Sequence, residues 1–169
     1  KTTLKRWYTK HKKEIDGQHA NEPAHKRRRV YLFCDEFTNY NDTSIGIKAI
    51  LLLEKLGYDV IIPEHIESGR TWLSKGLVRK AKKIANENIR MLHSLITAET
   101  PLIGIEPSAI LTFRDEYVDL ADDEHLVTAR NLASHVYLID EFIAREIEAG
   151  HINASIFTSE KKTIKLHGH

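Results

Sequence analysis

The apolar run Val30-Tyr31-Leu32-Phe33-Cys34 breaks off into the polar stretch Asp35-Glu36-Phe37-Thr38-Asn39-Tyr40, and apolar positions then recur at helical spacing from Ser44 to Leu56. A short apolar run, a polar loop and a helix open a βαβ unit, whose working groups lie beyond the carboxyl end of the strand. The pattern repeats. Strands are predicted over 29–34, 58–62, 101–105 and 163–166, with a weaker candidate over 136–139. The first predicted helix starts at a cap on Asp42 or Thr43, carries Ile45, Ala49, Leu52, Leu53 and Leu56 on its apolar side, and stops at Gly57. A long helix is predicted from a Ser74 cap to about Ile96. Leu77, Ala81, Ile84, Ala85, Ile89, Leu92 and Ile96 form its core face, and Lys82, Lys83, Glu87 and Arg90 its wet face, with Lys83 and Glu87 as an i,i+4 pair. Further helices are predicted from a Ser108 cap to Tyr117, over 122–133 and over 140–149. Short apolar strands alternating with helices predict an α/β fold: a doubly wound, mainly parallel sheet with helices on both faces, Rossmann-like in layout.

Composition narrows the class. The chain has 169 residues, 41% hydrophobic and 29% charged, which suits one domain with a real core. Its single cysteine, Cys34, excludes an internal disulfide and points to a reducing, cytoplasmic compartment. One thiolate also cannot hold an ordinary iron–sulfur cluster. No apolar run reaches membrane-span length. The net charge of +1 hides an asymmetry: residues 1–29 hold ten Lys/Arg against three Asp/Glu, and the other 140 hold 15 against 21. Residues 1–29 therefore read as a basic arm and linker broken by Gly17, Asn21 and Pro23, and residues 30–169 as a single α/β domain. Lys26-Arg27-Arg28-Arg29 could meet nucleic acid or acidic lipid. With no interleaved aromatic residue it reads instead as a solvated flank, and no nucleic-acid partner is expected. The start at Lys1 without Met, and a predicted strand at the carboxyl end, give the expectation of a piece of a longer protein.

In a parallel sheet the loops after the strands gather at one edge. The candidate ligand-facing residues are those of these loops: Asp35, Thr38 and Asn39; Glu67, Ser68, Gly69 and Arg70; Glu106 and Ser108; His167 and His169. Gly69 would allow a tight turn and Arg70 could clamp a carboxylate or phosphate, although both also suit a surface turn. Glu106 could be only a helix start favoured by the dipole. His167 and His169 would point the same way along a strand, as a metal site needs, or be two exposed histidines. Cys34 reads as a small core residue rather than a nucleophile. No glycine-rich nucleotide fingerprint and no Cys-x-x-Cys is present.

The runs Phe33-Cys34-Asp35-Glu36-Phe37-Thr38-Asn39-Tyr40, Glu67-Ser68-Gly69-Arg70, Gly104-Ile105-Glu106-Pro107-Ser108-Ala109 with Arg114-Asp115-Glu116, and Leu166-His167-Gly168-His169 occur in this order. Over residues 30–169 the chain resembles the cysteine-rich (CCG-type) carboxyl-terminal domain of FAD-linked, iron–sulfur oxidoreductases of the glycolate oxidase, D-lactate and D-2-hydroxyglutarate dehydrogenase type. The resemblance implies a parent protein with FAD and [4Fe-4S] clusters, a cytoplasmic location or a peripheral one at the inner membrane face, and an FAD domain and ferredoxin-like segment as partners. It also implies that residues 30–169 are the first half of a longer domain. Members of that family commonly carry Cys-Cys-Gly-Arg where this chain has Glu67-Ser68-Gly69-Arg70, and a cysteine where it has Ala109. The expectation is an accessory or electron-relay domain, without catalytic residues, metal ligands or cofactor of its own. The alternative is a non-redox module that binds a small anion or a partner protein at the carboxyl edge of its sheet.

Overall fold

A computed structural model describes residues 2–18 and 27–165. The elements run α1 (Leu4–Gln18), β1 (Arg28–Leu32), α2 (Glu36–Tyr40), α3 (Thr43–Lys55), β2 (Tyr58–Ile61), α4 (Arg70–Ser74), α5 (Val78–Leu92), β3 (Leu102–Gly104), α6 (Pro107–Arg114), α7 (Glu116–Leu120), α8 (Leu126–Ala133), β4 (Val136–Leu138) and α9 (Ile139–Glu148). The four strands are parallel, in the order β2-β1-β3-β4. Val30 lies beside Val60, Tyr31 beside Leu102 and Ile103 beside Tyr137.

Alternation along β1 divides the core in two. Tyr31 and Phe33 face α5, α6, α7 and α8, where Ala85, Ile89, Leu92, Ile110, Phe113, Tyr117 and Leu132 are buried. Val30, Leu32 and Cys34 face α1, α3 and α9, with Leu4, Ile15, Ile50, Leu53 and Phe142. The sheet is thus doubly wound with helices on both faces, as the pattern predicts. The chain leaves β1 towards β2 on one side and reaches β3 on the other. The switch between them falls at the carboxyl ends of β1 and β3, where such sheets form a crevice.

Several local expectations need correction. Thr163, Ile164 and Lys165 are exposed and outside any strand. The sheet accordingly has four strands among the described residues. The apolar face of α3 is rotated from the predicted one: Gly46, Ala49, Ile50 and Leu53 are buried, whereas Ile45 and Leu52 are exposed. The long helix expected from Ser74 is two helices. Ser74 ends α4, and Gly76 at φ +70° turns the chain before α5 begins at Val78, leaving Leu77 outside the core. The predicted pairing of Lys83 with Glu87 gives way to Arg90 with Glu87. The helix expected over 108–117 breaks at Asp115. Its cap is Glu106 rather than Ser108, with Pro107 in the first turn.

Within the amino-terminal segment, α1 packs Leu4 and Ile15 into the core. Arg27 is not a solvated flank: its side chain is largely buried and pairs with Glu54. Arg28 pairs with Glu146 and Arg29 with Asp59. His167 and His169 lie outside the described residues, as does Lys26.

Candidate functional site

A cleft of about 350 Å³ opens at the switch point, lined by residues from three of the four predicted loops. Glu36 and Phe37 come from the segment after β1. Ser68, Arg70, Thr71, Ser74 and Lys75 follow β2. Glu106, Ser108 and Ala109 follow β3. The volume lies in the range of small-molecule sites. Among the sequence-predicted candidates, Ser68, Arg70, Glu106 and Ser108 meet here.

Asp35, Thr38, Asn39, Glu67 and Gly69 are brought to the same edge but are engaged within the fold. Asp35 is buried and caps α2, its carboxylate accepting from the Thr38 backbone N–H at 2.8 Å and from the Thr38 hydroxyl. Burial raises its pKa, the Thr38 hydrogen bonds oppose this, and the nearby Glu106 carboxylate adds to the rise. Asn39 is a cap as well: its Oδ1 accepts from Lys5 N–H at 3.1 Å, tying the first turn of α1 to the sheet edge. Glu67 accepts from the Trp72 indole N–H at 2.9 Å. Gly69 sits at φ +82° directly before α4, and a Cβ there would meet Ile84 Cγ2 at 3.2 Å. The tight turn expected of this glycine is therefore enforced by both backbone conformation and packing.

Ser68 is the junction of this edge. Its hydroxyl donates to Glu36 Oε1 at 2.9 Å and accepts from Arg70 N–H at 3.1 Å. Its carbonyl accepts from the Tyr117 hydroxyl at 2.9 Å. Behind it, fully buried Asn88 uses its amide three ways. Oδ1 accepts from Ile66 N–H at 3.0 Å, and Nδ2 donates to Glu67 O at 2.9 Å and to the Tyr117 oxygen at 2.8 Å. Each buried polar group thus has partners, which keeps the loop in one conformation. Burial also raises the pKa of Tyr117, so the phenol stays neutral and able to donate.

His65 closes the back of the edge. Its ring packs on Phe33 with centroids 4.4 Å apart. Nε2 accepts from Cys34 N–H at 3.3 Å and Nδ1–H donates to Ile66 O at 2.7 Å. That pattern needs the neutral ring, because protonation would set two donors against each other. Burial holds the pKa down at about 4.

Glu36, Thr71, Ser74 and Lys75 line the cleft although none stood among the candidates. Glu36 was signalled by its place two residues past the predicted strand end at Cys34. Asn88 and Tyr117 carried no such signal, since both belong to helices well removed in sequence.

The charges in the cleft are mixed. Arg70 Nη1 bonds Glu116 Oε1 at 2.6 Å, and Lys75 supplies a second cation. Glu36 and Glu106 supply carboxylates, and Glu106 is itself spent on capping α6 through Ala109 N–H at 2.6 Å. The donor set does not fit an iron–sulfur cluster. Ala109 offers no donor, Glu67 and Ser68 are committed to internal hydrogen bonds, and Cys34 is buried with its thiol pushed up to about 12 by that burial. Among the described residues no three His, Cys, Asp or Glu side chains gather as a metal site would require.

The D-2-hydroxyglutarate dehydrogenase of Haemophilus influenzae is 24% identical to this chain over 121 residues, 69% of the chain and 12% of the relative. That of Pseudomonas putida is 30% identical over 95 residues, 56% of the chain and 9% of the relative. Over these stretches the chain is similar to the D-2-hydroxyglutarate dehydrogenases. It is also related to one subunit of the anaerobic glycerol-3-phosphate dehydrogenase of Escherichia coli, 24% identical over 150 residues, 88% of the chain and 35% of the relative. These relatives bear out the resemblance carried by the loop motifs. The chain spans about a tenth of the length of the D-2-hydroxyglutarate dehydrogenases it matches. No protein-family profile matches the chain. No solved structure matches it either. No described helix is long and apolar enough to cross a membrane.

Proposed function

We propose that this chain is an accessory α/β domain of an FAD- and iron–sulfur-dependent oxidoreductase, and that the parent protein oxidises a 2-hydroxy acid or glycerol 3-phosphate. The observation that carries the proposal is the relationship to a segment about one tenth the length of D-2-hydroxyglutarate dehydrogenases. Within the parent, the flavin would accept the hydride from substrate, chemistry that no side chain supplies alone. The part played by this chain is to present the carboxyl edge to the neighbouring modules, an FAD domain and a ferredoxin-like segment. Its loops carry hydrogen bonds where the resemblance implies thiolates, so the role is to shape and dock rather than to hold a relay centre.

Mixed charge in the cleft supports the docking role over capture of a bare anion. Arg70 is already paired with Glu116, and Glu36 and Glu106 would repel an incoming carboxylate. A partner protein can answer such a surface charge by charge.

The test is to incubate the purified chain and FAD with D-2-hydroxyglutarate, D-lactate, glycolate or glycerol 3-phosphate and an artificial electron acceptor. No turnover is expected. The complete reading frame should encode a flavin-binding domain beside this segment. Turnover by the chain alone, or a reading frame lacking such a domain, would overturn the proposal.

A further inference from the structure

The turn between α4 and α5 combines exposed apolar side chains with several cations that have no carboxylate partner among the described residues. Leu77 and Val78 stand at its apex, 48% and 51% exposed. They continue into Arg79 and Lys80 along one shallow surface groove. Arg79 also borders a second groove with Lys82, Lys83 and Arg90. Two of these cations are satisfied, Lys82 by Asp122 at 2.9 Å and Arg90 by Glu87. Lys75, Arg79, Lys80 and Lys83 have no carboxylate partner among the described residues. Lys80 Nζ lies 3.2 Å from the Trp72 ring centroid and Lys75 Nζ lies 5.6 Å from it, so the half-buried indole sits beneath two ammonium groups.

We propose that this turn docks the protein onto an anionic phospholipid surface. The apolar apex and cationic flanks match the two chemistries of a bilayer interface, where aliphatic side chains enter the headgroup–acyl boundary while Lys and Arg meet phosphate and carboxylate. Arg79 and Lys83, one helical turn apart on α5, present a common face. A purely acidic polypeptide would satisfy the cations alone, whereas a bilayer interface answers the cations and the exposed Leu77-Val78 apex together. Gly76 at φ +70° makes the apex sharp, which brings Leu77 to the tip rather than into the core. Lys75 belongs to this surface and to the carboxyl-edge cleft, so docking would hold the cleft beside the lipid. The inference does not rest on the oxidoreductase reading.

Sedimentation of the whole chain with vesicles tests it. One set is phosphatidylcholine alone and the other contains about 30 mol% phosphatidylserine. Partition at least about ten-fold stronger onto the anionic vesicles is expected. Arg79→Glu with Lys83→Glu should weaken it at least about twenty-fold, since each cation contributes about five-fold. Leu77→Ser with Val78→Ser should weaken it about ten-fold through the lost apolar contact. All four side chains are exposed, so both variants should keep the wild-type circular dichroism. Lack of partition, equal partition onto both vesicle types, or an undiminished serine variant would each overturn the proposal. Binding to polyglutamate as tight as to anionic vesicles would also overturn it, by assigning the surface to an acidic polypeptide.

Discussion

The two edges of the sheet are built from different materials. At the amino edge, where α3 and α9 end, charge meets charge. Arg27 pairs with Glu54, whose side chain is 4% exposed, and Glu54 Oε1 also accepts from Val60 N–H at 3.1 Å. Arg28, Tyr58 and His151 all bond the Glu146 carboxylate. At the carboxyl edge, among the described residues, no cation is buried behind the cleft: an amide, a phenol, a hydroxyl and an uncharged imidazole share the hydrogen bonding with the Asp35 and Glu36 carboxylates. The contrast follows the task of each edge. Ion pairs at the amino edge fix the strands where they enter the sheet. At the other edge hydrogen bonds without a cation, several of them to the Asp35, Glu67 and Glu106 carboxylates, fix the loops and leave Arg70 and Lys75 as the cations of the cleft.

Single substitutions separate the two edges. Glu54→Ala should have the largest effect, because it leaves the buried Arg27 cation and the Val60 N–H without this partner. A loss of about 4 kcal/mol is expected in urea unfolding. A loss below about 1 kcal/mol would mean that the amino-edge pairs are ordinary surface ion pairs. Asn88→Leu should cost about 2 kcal/mol, since it takes the partner of the half-buried Ile66 N–H and Glu67 O and of the buried Tyr117 hydroxyl. Its signature would be faster hydrogen exchange at Ile66 and Ser68, confined to the carboxyl edge. A uniform change across the sheet would contradict the local role.

The imidazole gives a pH test of similar size. Burial holds the His65 pKa down at about 4, against 6.5 for an unburied ring. As pH falls through 6.5 the unfolded chain takes up the proton first, so stability declines between about 6.5 and 4 and this contribution levels off below. The loss should reach up to about 3 kcal/mol. Urea midpoints at pH 7 and pH 4.5 should differ by more in the wild type than in His65→Gln. Equal differences would show that the ring is not held neutral. Arg70→Ala should have the smallest effect, below about 1 kcal/mol, because Arg70 and Glu116 are both substantially exposed.

Much of this architecture was legible in the chain. Strand, loop and helix order, the core face of α5 from Ala81 to Leu92, and the turn at Gly69 follow from period and from glycine conformation, whereas the helix ends at Leu92 and not at the expected Ile96. The rotated face of α3 did not, because Gly46 is buried by the close approach of Leu4 and Thr38, a tertiary constraint absent from the hydrophobic pattern. The cleft was half legible. Ser68, Arg70, Glu106 and Ser108 follow from the rule that parallel strands deliver their loops to one edge. Asp35 and Asn39 turn inward as caps and Thr38 inward as the partner of Asp35, and a cap and a ligand use the same residue types. Asn88 resembles any polar helix residue until α5 and α7 are packed together.

Hydrogen bonds donated by Ser68 and Asn88 and accepted by Glu67, rather than thiolates, close the carboxyl edge, and the docking role depends on this more than on any other feature. Iron and acid-labile sulfide after anaerobic reconstitution of the purified chain test it directly. A colourless protein is expected, with neither iron nor sulfide above background. Iron and sulfide near one cluster per chain, lost in Glu67→Ala or Ser68→Ala, would contradict it.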